Sequence, residues 1–460
     1  MTLETLMEVY KTRTKTSEKL HKEATQTLPG GIAANIKYYD PYPIFMESGS
    51  GATLTDVDGN EYIDYLASYG PLILGHGHPA VKQAITEHLE ECGAILYGTP
   101  SQIEHTFAKK IMEYYPSVEM LRYTNSGTEA TLLALRIAYG YTGKYKIGKF
   151  EGHYHGGYNQ VLVSVNPPIS EAGDIENPTP ILESRGVEPS QLENTIILPF
   201  NDLESCTKIL EKHQTELAAI IMEPILSGYV PATQEFMTGL REVTEKLGIL
   251  LIFDEVKTGF RVGMKGAQGI YGIKPDITAM GKVIGAGMPL GIVGGRSDII
   301  MTTAPISGSD VFDSSTSKTS SAQDVLFHSG TYNGHPLILK AGLATIAVLE
   351  QEFDHIVACT DLLKSGIQKL FADRGIKIVM VGEGTVFNYC ITQLDEIKCY
   401  RDVQQSDFAL RKKIDFALLN EGIYNKPTNR YSVSVCHDEA VVAKTLAAYE
   451  RALEMVFHED

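Results

Sequence analysis

Seven strand-length runs of apolar residues constrain the fold of this 460-residue chain more than any other feature of its sequence. Helical patterns at 126–143, 202–213 and 233–247 separate several of these runs. Strands this apolar, when separated by helices, form a mostly parallel sheet that is covered on both faces. The sequence therefore predicts an α/β fold whose ligands bind at the carboxyl ends of the strands. The runs are 120–125, 144–150, 194–200, 218–224, 248–255, 277–282 and 291–296.

The flanking regions predict a second, smaller α+β domain. Residues 1–28 carry a helical pattern, and 51–66 alternates polar and apolar residues around Asp58-Gly59, which is typical of a hairpin. A polar segment at 307–324 interrupts the pattern of the large sheet and is predicted to be a surface loop or lid. Further helices are predicted at 79–97, 102–115, about 335–351, 361–373 and 403–421, and further strands at 376–381, 384–392 and 431–435.

The charge balance and the cysteines limit the partners and the location of the protein. The chain has 40 Lys and Arg against 57 Asp and Glu, a net charge of −17, which argues against nucleic acid or an anionic membrane as the main partner. No apolar window reaches the length of a membrane span, and the start lacks the apolar core of a signal peptide. Six cysteines without CxxC spacing predict reduced thiols in a cytoplasmic protein, none of them catalytic.

Three polar features stand at the ends of predicted strands. Ser126-Gly127-Thr128 opens a helix after the first run, Asp254 closes an apolar run, and Lys282 closes the next one. Ser126 is also an ordinary helix cap, and Asp254 could equally be a solvated turn acid. Small residues at a helix N-terminus bind phosphate, however, and a lysine near the core becomes nucleophilic when burial or a nearby cation lowers its pKa.

One cofactor uses all three features. Pyridoxal phosphate is an electron sink that is held by a lysine, with an acid on its pyridine nitrogen. Lys282 and Asp254 fit these two roles, and residues 126–128 fit its phosphate. Tyr154 follows a predicted strand and fits stacking on the ring, although a core tyrosine explains it equally well. We therefore expect pyridoxal 5'-phosphate as the cofactor.

A nucleotide loop is the competing interpretation of the glycine-rich run at 280–295. Its GxGxxxG spacing is one residue too long for the dinucleotide fingerprint. Pro289 stands where the helix of that motif would begin, and a predicted strand follows in place of the helix. The run is therefore interpreted as two strands on either side of Lys282.

Two patterns suggest metal ligands, and neither is complete. Residues 56–60 resemble a calcium loop, but the glycine comes two places early and the twelfth-position Glu is absent. The HxH pairs His76/His78 and His153/His155 lack a third ligand at a suitable spacing, so backbone packing near the pocket explains them better. The sequence analysis assigns no metal.

Five short motifs occur in one order along most of the chain. They are NSGTEA (125–130), YHGG (154–157), DEVKTGFR (254–261), GK (281–282) and SGTYNGHP (329–336). This set resembles the class III pyridoxal-phosphate aminotransferases of fold type I. Further motifs, among them LPGG (28–31) and GKVIGAGMPLGIVGGR (281–296), look most like the glutamate-1-semialdehyde 2,1-aminomutase subgroup and its aminotransferase relatives. HSGTYN (328–333) also resembles β-amino-acid transaminases.

The resemblance implies a role for each matching residue. It makes Lys282 the Schiff-base lysine and proton shuttle and Asp254 the partner of the pyridine nitrogen. It also implies that Thr331 reaches the phosphate of the neighbouring subunit, so that a homodimer shares its active sites. The remaining cofactor residues would be Ser126, Gly127 and Thr128 on the phosphate, Tyr154 and Val256 on the two ring faces, and Glu223 beside the cofactor.

The resemblance also implies the domain organisation. The fold of the family has a large domain with a mostly parallel seven-stranded sheet and a small domain built from both chain ends. On this chain, residues 1–70 would join the small domain, residues 71–331 would form the large pyridoxal-phosphate domain, and residues 332–460 would form the rest of the small domain.

The substrate end departs from the aminomutase pattern at two residues. Lys37 stands where the mutase has an arginine for the substrate carboxylate, so the planar bidentate fork is lost. Tyr69 replaces a tryptophan, and both residues are candidates for substrate binding. We expect an aminotransferase that acts on a small-molecule amino donor and a carbonyl acceptor, with glutamate-1-semialdehyde 2,1-aminomutase and an amino-acid racemase or epimerase as alternatives.

Overall fold

The computed structural model describes residues 1–305 and 325–457 of the chain. The loop predicted at 307–324 lies outside the described residues. The strands are β1 Met46–Ser50, β2 Thr53–Asp56, β3 Glu61–Asp64, β4 Met120–Thr124, β5 Lys146–Phe150, β6 Gly173–Asp174, β7 Asn177–Pro178, β8 Thr195–Leu198, β9 Leu217–Met222, β10 Ile225–Leu226, β11 Val230–Pro231, β12 Leu250–Glu255, β13 Ile277–Gly281, β14 Gly291–Gly295, β15 Ile378–Glu383, β16 Val386–Ile391, β17 Ile423–Tyr424 and β18 Tyr431–Ser432. The α-helices are α1 Leu3–Arg13, α2 Lys15–Ala24, α3 Pro79–Cys92, α4 Gln102–Tyr114, α5 Gly127–Thr142, α6 Gln191–Asn194, α7 Leu203–His213, α8 Gln234–Leu247, α9 Gly266–Tyr271, α10 Ser297–Ile300, α11 Pro336–Ala372, α12 Tyr400–Val403, α13 Phe408–Asn420 and α14 Glu439–Phe457.

The largest sheet contains the seven predicted runs. Its strand order is β4-β14-β13-β12-β9-β5-β8. β12 pairs in parallel with β13 and β9, and β5 pairs in parallel with β9 and β8. β14 is antiparallel to both of its neighbours, so the other six strands run in one direction. Every residue of β9 and β12 is buried, which explains why these runs are uniformly apolar. The predicted mostly parallel seven-stranded sheet is confirmed.

Helix α5 brings its N-terminus to the carboxyl ends of these strands. Ser126 Oγ accepts a hydrogen bond from the Glu129 N–H at 3.1 Å and caps the first turn. Gly143 ends the helix in the left-handed conformation, φ 68°. Leu133, Ala134 and Ile137 belong to the buried core that also includes residues of β9, β12, β13 and β14. Each large aliphatic side chain that is buried in this way contributes roughly 1.5–3 kcal/mol.

The described residues form two compact units. The larger unit comprises 83–347 and 398–401 and contains the seven-stranded sheet. The smaller unit comprises 1–82, 348–397 and the residues from 402 onward, and it contains the sheets β1-β2-β3-β17 and β15-β16-β18 together with α1, α2, α13 and α14. The domain boundaries at 70/71 and 331/332 stay a prediction.

Local predictions succeeded for strands and were less accurate for helix ends. The hairpin around Asp58-Gly59 is confirmed, since β2 and β3 pair antiparallel and the Asp56 carboxylate accepts the backbone N–H of Asp58 and Asn60. The helices predicted at 335–351 and 361–373 are one helix, α11, because residues 352–360 contain neither glycine nor proline.

Three other helix predictions were wrong in extent. The helix predicted over 79–97 ends at Cys92, because Gly93 adopts the left-handed conformation, φ 63°. The helix predicted over 1–28 is broken at Thr14, whose hydroxyl donates to the Tyr10 carbonyl at 2.7 Å and competes with the helical hydrogen bond. The helix predicted over 403–421 starts at Phe408, where the Asp407 carboxylate caps it by accepting the Leu410 N–H at 2.9 Å. Helix α14 was not predicted. No helix among the described residues is long and apolar enough to cross a membrane.

Candidate active site

All the predicted cofactor residues of the larger unit except Thr331 lie at one edge of its sheet. Ser126, Glu223 and Lys282 each follow the end of a strand, and Asp254 is the penultimate residue of β12. The register places Gly291, the first residue of β14, between Gly281 at the end of β13 and Thr124 at the end of β4. We refer to residues 126–128, Tyr154, Glu223, Asp254, Val256 and Lys282 as the sheet-edge site.

The N-terminus of α5 is packed between the ends of two other elements. A Cβ atom on Gly127 would lie 2.5 Å from Val256 Cγ1, and a Cβ atom on Gly281 would lie 3.4 Å from the Gly127 backbone. On another side, a Cβ atom on Gly156 would lie 2.8 Å from Thr128 Cγ2. The first backbone N–H groups of a helix have no partner within that helix and favour an anion. The N-terminus of α5, where the phosphate is predicted to bind, therefore packs against Val256 and against Gly281, the residue before Lys282.

Asp254 is buried and has two hydrogen-bonding partners. Its Oδ1 accepts the Val256 N–H at 3.0 Å, and its Oδ2 lies 2.8 Å from His155 Nδ1. The side chains of His155 and Asp254 are 0% and 5% exposed. A buried carboxylate needs donors or a cation, and here a backbone amide and an imidazole supply them.

Sequence reasoning missed the contact of His155 with Asp254. The two residues are 99 positions apart, and the HxH pattern was weighed only as a metal motif or as packing. The one available signal was the position of His155 directly after Tyr154. His155 is held in place from its backbone as well, since its carbonyl accepts the Thr131 hydroxyl at 2.5 Å.

Glu223 is the second buried carboxylate of the site. Its Oε1 lies 2.6 Å from Lys257 Nζ, and its Oε2 accepts the Tyr154 N–H at 3.0 Å. Burial raises the pKa of Glu223, but the charges of Lys257 and His155 and these hydrogen bonds outweigh burial and lower it. Glu223 therefore carries a negative charge, and it holds the loop of Tyr154 in position.

The HxH pair is buried and its first member is neutral. His153 Nδ1 accepts the Glu223 N–H at 3.0 Å, so Nδ1 carries no proton. Burial, followed by the charges of His155, Lys149 and Lys257, holds the pKa of His153 well below its usual range. The Nε2 atoms of His153 and His155 are buried without a hydrogen-bond partner among the described residues.

Tyr154 and Lys282 are more accessible than the two buried carboxylates of the site. Tyr154 is 43% exposed, and its ring centroid lies 5.6 Å from Lys257 Nζ. Burial and the charges of Asp254 and Glu223 raise the pKa of Tyr154. Lys282 is partly buried and follows β13 in the left-handed conformation, φ 50°. Such a conformation is strained for a residue with a side chain and is concentrated at functional sites.

A second lysine lies under the same edge of the sheet. Lys149 on β5 is fully buried, and its Nζ donates to the Val163 carbonyl at 2.7 Å. Burial lowers the pKa of Lys149 to about 7. A depressed pKa is a property of reactive lysines, but this amine is directed at backbone carbonyls and has no exposed surface.

Three predicted residues lie outside the sheet-edge site. Thr331 is exposed and lines a cavity of about 370 Å³ together with residues 96–100 of the same unit. Lys37 and Tyr69 belong to the smaller unit, where they line a cavity of about 600 Å³ that also includes Lys426. We refer to it as the Lys37 cavity. Tyr69 donates its hydroxyl to the Ile36 carbonyl at 2.6 Å.

Comparison with known proteins identifies the family. The family model described as "Aminotransferase class-III" matches residues 35–447. The chain belongs to the class III aminotransferases. It is 46% identical over 341 residues to a glutamate-1-semialdehyde 2,1-aminomutase from Methanocella arvoryzae, which covers 74% of each chain. It is 31% identical to an omega-transaminase from Sphaerobacter thermophilus, whose structure covers 96% of this chain and 98% of its own with a TM-score of 0.88.

A second solved structure bears on the cofactor of this aminotransferase. It is a transaminase with PLP bound, 31% identical, with a TM-score of 0.84 and coverage of 96% of this chain and 98% of its own. The predicted cofactor, pyridoxal 5'-phosphate, and the fold type I class are therefore confirmed for this aminotransferase. The sheet-edge residues fit the cofactor, since the N-terminus of α5 at Gly127 offers backbone N–H groups to a phosphate, and a buried carboxylate suits a protonated ring nitrogen.

Proposed function

We propose that this aminotransferase is a transaminase that moves an amino group from an amino acid or amine to a keto acid or aldehyde. The observation that carries the proposal is the continuous packing from Gly281 through Gly127 and Val256 to Asp254. This packing brings together the end of β13 that precedes Lys282, the N-terminus of α5 where a phosphate would bind, and the buried carboxylate of Asp254. Tyr154 and Glu223 adjoin this set through the 151–157 loop.

Each residue of the sheet-edge site then has a defined role in holding the cofactor. Residues 126–128 would hold its phosphate, and Val256 and Tyr154 would pack on its ring. Asp254 carries the negative charge that keeps the ring nitrogen protonated, and His155 keeps that carboxylate oriented at 2.8 Å. Glu223 holds the Tyr154 loop through the Tyr154 N–H. When bound, pyridoxal phosphate supplies the electron sink for the reaction.

Lys282 performs the proton transfers. Its amine would hold the cofactor covalently. Its Nζ would then act as the general base that takes the proton from the substrate carbon bearing the amino group, and as the acid that gives this proton back. A positioned general base of this kind contributes about 10²–10⁴-fold to the rate.

Lys37 and Tyr69 are proposed to bind the substrate, and both line the Lys37 cavity. Its lining is largely apolar, with Leu28, Ile32 and Phe45 beside the lysines Lys37 and Lys426. Lysine attracts a carboxylate as a point charge without fixing its plane. Lys37 therefore suits a transaminase that accepts several carboxylates better than a mutase that must hold one substrate in one orientation.

A second candidate is the glutamate-1-semialdehyde 2,1-aminomutase reaction. It is favoured by the 46% identity to the mutase from Methanocella arvoryzae. A mutase uses the same residues but returns the amino group to a neighbouring carbon of the same molecule. An amino-acid racemase would use them to return a proton to the opposite face of one carbon.

The need for an acceptor distinguishes these reactions. The purified holoenzyme is incubated with a panel of amino donors, with and without a keto acid, and the products are counted per chain. A transaminase forms at most about one product per chain without the acceptor and many with it. Sustained turnover of glutamate-1-semialdehyde alone would replace the proposal with the mutase, and loss of chirality without transfer would replace it with a racemase.

We also propose that the enzyme is a cytoplasmic homodimer in which Thr331 reaches the cofactor phosphate of the neighbouring subunit. This position is consistent with the exposure of Thr331 and with nearby exposed apolar side chains, Tyr97 at 42%, Phe327 at 42% and Tyr332 at 60%. Light scattering of the holoenzyme measures the assembly, and a monomer with full activity would contradict a shared site.

A further inference from the structure

Two helices of the smaller unit bring three metal-ligating side chains together. His355 and Cys359 lie one turn apart on α11, and Glu439 is the first residue of α14. Cys359 Sγ lies 3.8 Å from His355 Nε2, and one ligand atom from each of the three residues lies within 4.8 Å of the others. The i and i+4 spacing on a helix places His355 and Cys359 on the same face.

We propose that His355, Cys359 and Glu439 form a binding site for a divalent cation of the zinc type. Zinc takes thiolate, imidazole and carboxylate ligands at about 2.0–2.3 Å, so its ligand atoms stand roughly 3.3–3.8 Å apart in a tetrahedron. The sulfur–nitrogen distance of 3.8 Å already meets this spacing. A small rotation of the exposed Glu439 side chain brings in the third ligand, and water completes the coordination.

The local charge favours a cation at this place. One carboxylate oxygen of Glu439 lies within 4.8 Å of the thiol and the imidazole, and the adjacent residue, Asp438, adds a second carboxylate. Asp438 is anchored, because its Oδ1 accepts the Val441 N–H at 2.8 Å and caps α14. A divalent cation relieves the repulsion between these carboxylates and the thiolate, and its binding releases the thiol proton to solvent.

The ligand types select the metal class. Calcium and magnesium prefer oxygen ligands, whereas a site with sulfur and nitrogen suits zinc, cobalt or other transition metals. The sequence analysis assigned no metal because it searched for ligands at short spacing. Here the third ligand, Glu439, lies 80 residues beyond Cys359 and meets it only through the packing of α11 and α14.

The proposed site predicts that the intact holoenzyme binds a metal ion saturably. Chelator-treated protein is titrated with zinc against a chromophoric competitor, and separately with cobalt, whose absorption in the red region reports tetrahedral coordination. We expect one ion per chain, a tetrahedral cobalt spectrum, and binding at least tenfold weaker in Cys359→Ser and in His355→Gln. Cys390→Ser, a buried thiol of the same unit on β16, is the matched control and should bind as the wild type does.

Two results would overturn the proposal. One is the same affinity and the same cobalt spectrum in Cys359→Ser as in the wild type. The other is the absence of any saturable binding in the wild type. Because Cys359 is buried, Glu439→Gln serves as the variant that leaves the fold intact, and it should also weaken zinc binding severalfold, whereas Glu454→Gln further along α14 should not. The outcome is independent of transaminase activity.

Discussion

The sheet-edge site and the Lys37 cavity differ in how their polar groups are held. In the sheet-edge site, Asp254 and Glu223 are buried and each accepts at least two hydrogen bonds or ion pairs. In the Lys37 cavity, Lys37 is exposed, and the chain at Ala67, Ser68 and Tyr69 runs through three left-handed residues, φ 45°, 53° and 68°. We therefore propose that the strand ends of the larger unit hold the cofactor, and Lys37 and Tyr69 stay predicted substrate-binding residues of the smaller unit.

The largest expected effect tests the buried carboxylate of the sheet-edge site. Asp254→Asn removes the negative charge that we propose pairs with the cofactor, and it leaves His155 without its carboxylate partner. Breaking a buried pair costs about 3–5 kcal/mol, so kcat/KM should fall by roughly 10²-fold or more. The visible absorbance of the bound cofactor should change as well. Asp298 is an acid whose side chain is 49% exposed, so Asp298→Asn is the control and should leave kcat/KM unchanged. An active Asp254→Asn enzyme would remove the basis of the comparison.

The next effect tests the packing of the helix N-terminus. The Cβ of Gly127→Ala would lie 2.5 Å from Val256 Cγ1 and would force the helix and Val256 apart. Overpacking of this kind costs about 1–3 kcal/mol, which predicts a cofactor Kd raised about tenfold or more. Gly157→Ala in the neighbouring loop meets no atom within 4 Å and should keep the wild-type Kd. Equal Kd values for the two variants would show that the phosphate lies elsewhere.

The buried Lys149 predicts a pH dependence of stability. Its pKa is lowered to about 7 in the folded chain and is near 10.5 when unfolded. Between these values the unfolded state binds more protons, so this lysine makes stability rise with pH by up to about 1.4 kcal/mol per pH unit; below pH 7 its contribution is flat. Denaturant unfolding of the wild type and Lys149→Met at pH 7, 8 and 9 measures it. Parallel pH profiles of the two proteins would contradict the assignment.

The smallest effect is expected in the Lys37 cavity. An exposed ion pair contributes about 0.2–1 kcal/mol, so Lys37→Ala should raise the KM of a carboxylate substrate about two- to fivefold and leave kcat unchanged. Lys37→Arg should restore or lower KM, because its planar fork binds a carboxylate through two hydrogen bonds. Lys22→Ala on the exposed face of α2 is the control. A change in kcat would place Lys37 in the chemical step.

The sequence predicted the positions of the sheet-edge residues better than it predicted their contacts. Lys282 and Asp254 stand beside long apolar runs, so the strand pattern alone placed them at the same edge of the sheet. The contact of His155 with Asp254 joins residues 99 positions apart, and that of Lys257 with Glu223 joins residues 34 apart; no local pattern encodes either. The prediction divided α11 into two helices, because hydrophobic periodicity alone does not show whether two successive helical segments are continuous.

The most direct test of the central claim is to find the lysine that holds the cofactor. The yellow holoenzyme is reduced with borohydride, digested, and the pyridoxyl-bearing peptide is sequenced by mass spectrometry. We predict the label on Lys282, a partly buried residue that follows β13 and whose backbone is in the left-handed conformation. Label on Lys149, the buried lysine with the pKa of about 7, or on Lys257 would contradict the account.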